Sequence, residues 1–152
     1  MIGPFNLREI HAIHTRFLIQ QDKELSAAAE EAGEAGEYYV QERPKFTPRT
    51  GALQRATDHR VIRTKSGRII RLQNPKDYAA PIDKGARPHG IEATRAPLLR
   101  FFWKKKGRWV ACKRVHHPGN KPYRFLHDAT WVAGRSFEKS MLVRMARLSR
   151  NF

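Results

Sequence analysis

With 152 residues, 40% of them hydrophobic and 10% aromatic, the chain has the length for one ordinary domain with a core and the composition of a folded one. Thirty Lys and Arg against fourteen Asp and Glu give a formal charge of +16, which points to a polyanionic partner. No apolar run approaches the roughly 20 residues of a bilayer span, no basic-then-apolar leader opens at Met1, and a lone Cys112 cannot form an internal disulfide, so a soluble domain made and used inside a cell is expected.

The charge is segregated. Residues up to Glu42 hold three basic and eight acidic side chains, net −5, whereas the remainder is net +21. A basic body facing polyanion and an acidic arm facing another partner, such as a neighbouring copy, is the arrangement this suggests. Asn6 followed by Glu9 reads as a capping box, with Phe5 as its staple residue. From there Leu7, Ile10, Ile13, Phe17, Leu18, Leu25, Ala28, Ala32, Ala35 and Tyr39 recur at helical spacing until Arg43-Pro44 ends the pattern. A straight helix over residues 6–42 would reach roughly 55 Å. The radius of gyration of a domain this size is only about 15 Å, so the helix must bend, at Gly33 or Gly36, or overhang onto another subunit.

Residues 44–51 are loop chemistry, and Ala52–Ala56 suits one helical turn capped by Thr50. The β-branched runs Arg60–Thr64 and Arg68–Leu72, separated by Lys65-Ser66-Gly67, predict a hairpin with Gly67 at positive φ. Residues 74–97 lack periodicity and carry Pro75, Pro81, Gly85, Pro88, Gly90 and Pro97. They predict a long loop, mobile in a free subunit and ordered when Tyr78, Ile82, Ile91, Arg87, Pro88 and His89 lie against a neighbour; the alternative is a static loop packed over the sheet of its own subunit. A second hairpin follows, Leu98–Trp103 and Arg108–Val115 joined through Lys104–Gly107. After His117-Pro118-Gly119-Asn120, Pro122 is placed to open a C-terminal helix at its first turn, with Phe125, Ala129, Val132, Ser136 and Met141 as its buried stripe. The predicted fold is α+β in a single domain, 1–152. It comprises a helical arm (1–43), a region of loop and hairpins forming one antiparallel sheet of about four strands (44–121), and a C-terminal helix (122–152).

Catalytic and metal chemistry find little purchase. The adjacent His116 and His117 would point to opposite faces of a strand, His11 and His14 lack a partner motif, and His117, Asn120 and His127 are too tightly spaced for an HNH nuclease. Outside the first helix the carboxylates Asp58, Asp77, Asp83, Glu92, Asp128 and Glu138 are scattered rather than paired as a Mg²⁺ nuclease needs. Nucleophile-elbow and phosphate-loop motifs are absent, and Cys112 suits a small apolar filler, so no enzyme, cofactor or metal is expected. The basic residues of the hairpins, Arg60, Arg63, Lys65, Arg68, Arg71, Lys104, Lys105, Lys106 and Arg108, are the DNA-facing candidates. The alternative for each cluster is a solvated hairpin tip. Without exposed aromatic stacking motifs, they suit phosphate contacts rather than base reading.

Three segments bear a family resemblance. Pro48-Arg49-Thr50-Gly51-Ala52-Leu53 is similar to a Pro-x-Thr-Gly-x-Leu segment. The stretch Tyr78–His89, with Asp83, Gly85 and Pro88-His89, resembles a Tyr-Ala-x-x-apolar-acidic-x-Gly-small-x-Pro-His pattern. His117-Pro118-Gly119 followed by Phe125-Leu126 resembles a His-Pro-Gly…Phe-Leu entry into a terminal helix. In this order, over about residues 44–145, they resemble the small neck or tail-completion (head–tail joining, minor tail) proteins of long-tailed bacteriophages. The resemblance implies a virion protein at the head–tail junction, assembled in the host cytoplasm as a ring of copies, six expected, around the DNA channel. Its neighbours would be a head-completion or adaptor protein and a tail terminator or tail tube protein. No catalytic residue is implied. The unusually basic hairpins and the long acidic first helix depart from the family pattern and leave open which neck ring is formed. A free-standing, sequence-non-specific nucleic-acid-binding protein is the alternative on charge alone, and a small nuclease ranks last.

Overall fold

A computed structural model describes residues 6–151, and Phe5, the expected staple, lies outside them. The chain is α+β and divides into two compact units, Met1–Lys76 with Arg124–Phe152, and Asp77–Tyr123.

In the first unit, Asn6 adopts an extended conformation and its side chain accepts the Arg8 N–H at 3.1 Å, which starts α1 (Leu7–Glu42). α1 runs unbroken for 36 residues, and Arg43 closes it by donating its N–H to the Tyr39 carbonyl at 3.0 Å. After α2 (Ala52–Arg55), strands β1 (Asp58–Arg63) and β2 (Arg68–Gln73) pair antiparallel, His59 opposite Leu72 and Val61 opposite Ile70. The helix α4 (Phe125–Leu148) packs along α1. Small side chains set that packing: Ala28, Ala29 and Ala32 of α1 and Ala129 and Ala133 of α4 are buried, together with Val40, Phe46, Leu53, Phe125 and Leu148. A Cβ on Gly36 would stand 2.7 Å from Leu72 Cδ1 and 3.1 Å from the Ala129 carbonyl oxygen, so the helices approach to a distance only glycine allows. Gly33 and Gly36 thus serve close packing rather than a break in the helix. The glycine of the first turn, Gly67, does not take positive φ; in the second hairpin Gly107 does, at 59°.

The second unit holds α3 (Ala79–Lys84), β3 (His89–Glu92), β4 (Leu99–Trp103), a 3₁₀ turn at Lys104–Lys106, β5 (Arg108–Cys112) and β6 (Arg114–His117). The expected long loop therefore carries a helix and a strand. Pro81 is tolerated because it lies in the first turn of α3, where its missing N–H has no intrahelical acceptor to serve. The expected single four-stranded sheet is replaced, among the described residues, by three two-stranded antiparallel pairs: β1–β2, β4–β5 and β3–β6. The strand read as one from Arg108 to Val115 changes partner at Lys113. Its first half pairs with β4 and its second half with β3, and the Lys113 carbonyl accepts the Ala93 N–H at 3.0 Å. α4 also begins later than expected, at Phe125 rather than Pro122, because Arg124 sits at φ 52 and interrupts the helical conformation.

Candidate nucleic-acid interface

Each unit presents one basic hairpin. In the β1–β2 pair, period-two alternation sends His59, Val61, Arg63, Arg68, Ile70 and Leu72 to one face and Arg60, Ile62, Ile69 and Arg71 to the other. The first face meets α1 and α4. On the second, Arg60 stands directly opposite Arg71, both exposed. Like charges in register oppose pairing, and an anion laid across them relieves that repulsion. Lys65 is exposed at the turn, and Arg63 is exposed with Nη2 3.1 Å from Asp22 Oδ2.

Arg68 corrects the expectation that it faces DNA. Its side chain is only 5% exposed, Nη2 donates to Asp22 Oδ1 at 2.6 Å and to Ser26 Oγ at 2.8 Å, and it fastens the hairpin to α1. The acidic arm finds its partners in the same way, within its own chain. Arg144 of α4 donates to Glu24 Oε2 at 2.7 Å and to Glu31 Oε1 at 2.5 Å, while Ser140 donates to Glu31. These hydrogen bonds hold the Glu24 and Glu31 carboxyls below their ordinary pKa and raise that of Arg144. His59 lies between two carboxylates, Nδ1 2.8 Å from Glu37 Oε1 and Nε2 3.1 Å from Glu30 Oε2. Burial disfavours its charge, but the hydrogen bonds and negative charges of Glu37 and Glu30 outweigh that, and its pKa is raised. Lys45 pairs with Asp128, whose pKa is lowered mainly by that contact. Among the described residues, five of the eight acidic side chains before Arg43 thus pair with β1, β2 or α4, and the hairpin cations of the other face are left exposed.

The second basic surface is the β4–β5 tip. Lys104, Lys105, Lys106 and Arg108 are exposed, with Lys106 Nζ 4.6 Å from the Trp103 ring centroid. Arg100 is exposed on β4, and opposite Phe102 stands Trp109, 73% exposed. The expectation of hairpin tips without exposed aromatics is overturned here. Alternation predicts Phe102 on the side opposite Leu99 and Phe101, but only the register with β5 reveals that Trp109 joins it.

The segments that carry the family resemblance meet in part. His89 opens β3 directly opposite His117 at the end of β6, their rings 5.2 Å apart. Ala86 and Asn120 exchange both backbone hydrogen bonds at 3.0 Å. Gly119, at φ 81, donates its N–H to His117 Nδ1 at 3.1 Å, and a Cβ there would strike the Ala86 carbonyl oxygen. Gly85 also takes positive φ, at 83°. Of the residues expected to contact a neighbour, Tyr78, Arg87 and Pro88 are exposed, Ile82 is half-buried in α3, and the Arg87 carbonyl lies 2.8 Å from His89 Nδ1. Pro118 is exposed. Gly51, at φ 70, precedes α2 in the first unit, where Phe125 is buried and Leu126 half-buried.

Among the described residues no three His, Cys, Asp or Glu side chains converge as metal ligands, and no helix is long and apolar enough to cross a membrane. What both hairpins offer chemically is cationic hydrogen-bond donors for phosphate. Comparison with protein-family models, curated proteins and solved structures finds no match to the chain.

Proposed function

We propose that the chain is a structural protein of a tailed-phage particle, a head–tail joining protein that self-associates into a ring and lines a DNA channel with its basic hairpins. One observation carries the assembly claim: α1 holds large apolar side chains from its first turn onward, but its amino-terminal turns are left uncovered. Leu7, Leu18, Leu25, Ala29, Ala32 and Gly36 lie on one helical face by their spacing. The carboxyl-terminal members are buried against α4 and β2, whereas Leu7 is 79% exposed, with Ile10, Ile13, Leu18 and Ile19 also open to solvent. Large apolar side chains clustered on uncovered helical turns mark a surface built for association. A second copy of the chain is the occupant the ring requires.

The reading also draws support from the pairing of His89 with His117, which joins two of the three segments that resemble the phage family. The hairpin cations, directed to solvent while the acidic residues of α1 pair internally, suit sequence-non-specific contact with DNA phosphates. Mass spectrometry of purified phage particles tests the role: the protein is expected as a stoichiometric component of the neck. The basic hairpins also suit the second reading, a free-standing nucleic-acid-binding protein. A monomer that binds DNA and is absent from particles would favour that reading.

A further inference from the structure

The β4–β5 hairpin has two unlike faces. Leu99, Phe101, Val110 and Cys112 are half-buried on one, and Arg100, Phe102, Trp109 and Ala111 are exposed on the other. On the exposed face the Phe102 and Trp109 rings meet edge-on, centroids 5.9 Å apart at 72°. Such a cross-strand pair helps hold two strands together. It does not account for an indole left 73% exposed, an arrangement that shields little of one of the two largest side chains in the hairpin. The surroundings are uniformly cationic: residues 99–113 contain Arg100, Lys104, Lys105, Lys106, Arg108 and Lys113 and no acidic side chain.

We propose that this face binds single-stranded nucleic acid, with Trp109 and Phe102 as a stacking platform for unpaired bases and the flanking cations as the track for the sugar-phosphate backbone. A polyanion answers the charge, and flat apolar groups within that polyanion answer the indole. In a duplex those groups are already stacked on one another, whereas in a single strand they are free to meet a side chain. A protein partner fits less well, since it would have to bring acidic side chains to six cations as well as an apolar group to the indole, both of which nucleic acid carries in one repeating unit. The proposal needs neither a ring nor a virion, so its fate is separate from that of the assembly reading.

Trp109 can be made the sole indole by Trp103→Phe and Trp131→Phe, leaving a fluorophore on the proposed platform. That protein is titrated at fixed salt with an oligothymidylate, an abasic oligomer of equal length and charge, and a duplex. The expected result is quenching by oligothymidylate and an affinity about tenfold above that for the abasic strand. Read by the anisotropy of a labelled oligomer in the protein that keeps its other two tryptophans, Trp109→Leu, which keeps apolar bulk without a stacking face, is expected to erase that advantage, and Trp109→Phe to retain most of it. Equal affinity for thymidylate and abasic strands overturns the proposal. So does a duplex bound as tightly as the single strand with equal quenching of Trp109. A Trp109→Leu variant that changes self-association and leaves nucleic-acid binding intact likewise overturns it and assigns the face to a protein. The thymidylate-to-abasic comparison uses the intact platform, so it decides the matter even where the leucine variant misfolds.

Discussion

Arg68 of β2 and Asp22 of α1 are joined at 2.6 Å, an ion pair between residues 46 positions apart that fixes the first hairpin to the long helix. The guanidinium is almost wholly covered while the carboxylate remains partly open and keeps Arg63 as a second partner, so removing the arginine unfastens the hairpin without leaving a buried charge unpaired. Arg68→Ala is expected to destabilise the fold by about 2 kcal/mol in urea denaturation. The salt dependence of its DNA binding should be that of the parent, because this cation never meets phosphate.

The opposite behaviour is expected of the second hairpin. Replacing Lys104, Lys105 and Lys106 together by alanine removes three exposed cations at a 3₁₀ turn that contributes no buried residue. The slope of log K against log salt for duplex DNA should become shallower by about 2, with the urea midpoint unchanged. An unaltered slope would show that the tip points away from the nucleic acid.

His59 makes stability depend on pH. Its pKa is raised by folding, so its contribution is complete below the unfolded value of 6.5 and is lost as pH climbs through the higher folded value. Glu24, Glu31 and Asp128 act at the other end: their lowered pKa values give stability above the ordinary carboxylate range that fades as pH falls below about 4.5. Urea midpoints measured from pH 3 to 9 should therefore peak between these limits. His59→Gln should flatten the alkaline fall and cost about 1 kcal/mol at pH 6.

Gly36→Ala sets helix propensity against packing. Alanine in a helix interior gains about 1 kcal/mol over glycine, but here its methyl would press on Leu72 and on the Ala129 carbonyl. Since a carbonyl of α4 cannot swing away, a net loss of about 1–2 kcal/mol is expected by thermal or urea denaturation. Stabilisation would mean that α1 and α4 can separate at little cost.

What the sequence made legible follows the reach of its signals. α1 and α4 were readable because apolar spacing repeats over many turns and because Asn6 and Arg43-Pro44 mark the ends of the first. The β1–β2 hairpin was readable because its pairing is local. The β3–β6 pair was not, since His89 and His117 are 28 residues apart and neither strand shows alternation beyond four residues. The division at Lys113 was hidden for a related reason, since residues on both sides of it favour a strand equally. For the candidate interface, residue type marked the cations but not their directions. Strand alternation did hold the signal that Arg68 shares a face with Val61, Ile70 and Leu72, and that signal separates a structural arginine from a phosphate contact. The indole of Trp109 needed the register itself.

Whether another copy of the chain covers the open apolar turns of α1 is read by light scattering on the purified protein, coupled to size exclusion. A discrete oligomer is expected, its mass a multiple of 17.6 kDa, with six copies the number that the family resemblance implies. Ile10→Glu with Ile13→Glu is expected to reduce it to a monomer with its helix content intact, because both residues lie on turns that their own chain leaves exposed. A parent protein that stays at 17.6 kDa across the accessible concentration range would show that α1 recruits no second copy. An oligomer indifferent to those two charges would place its contacts elsewhere than on α1.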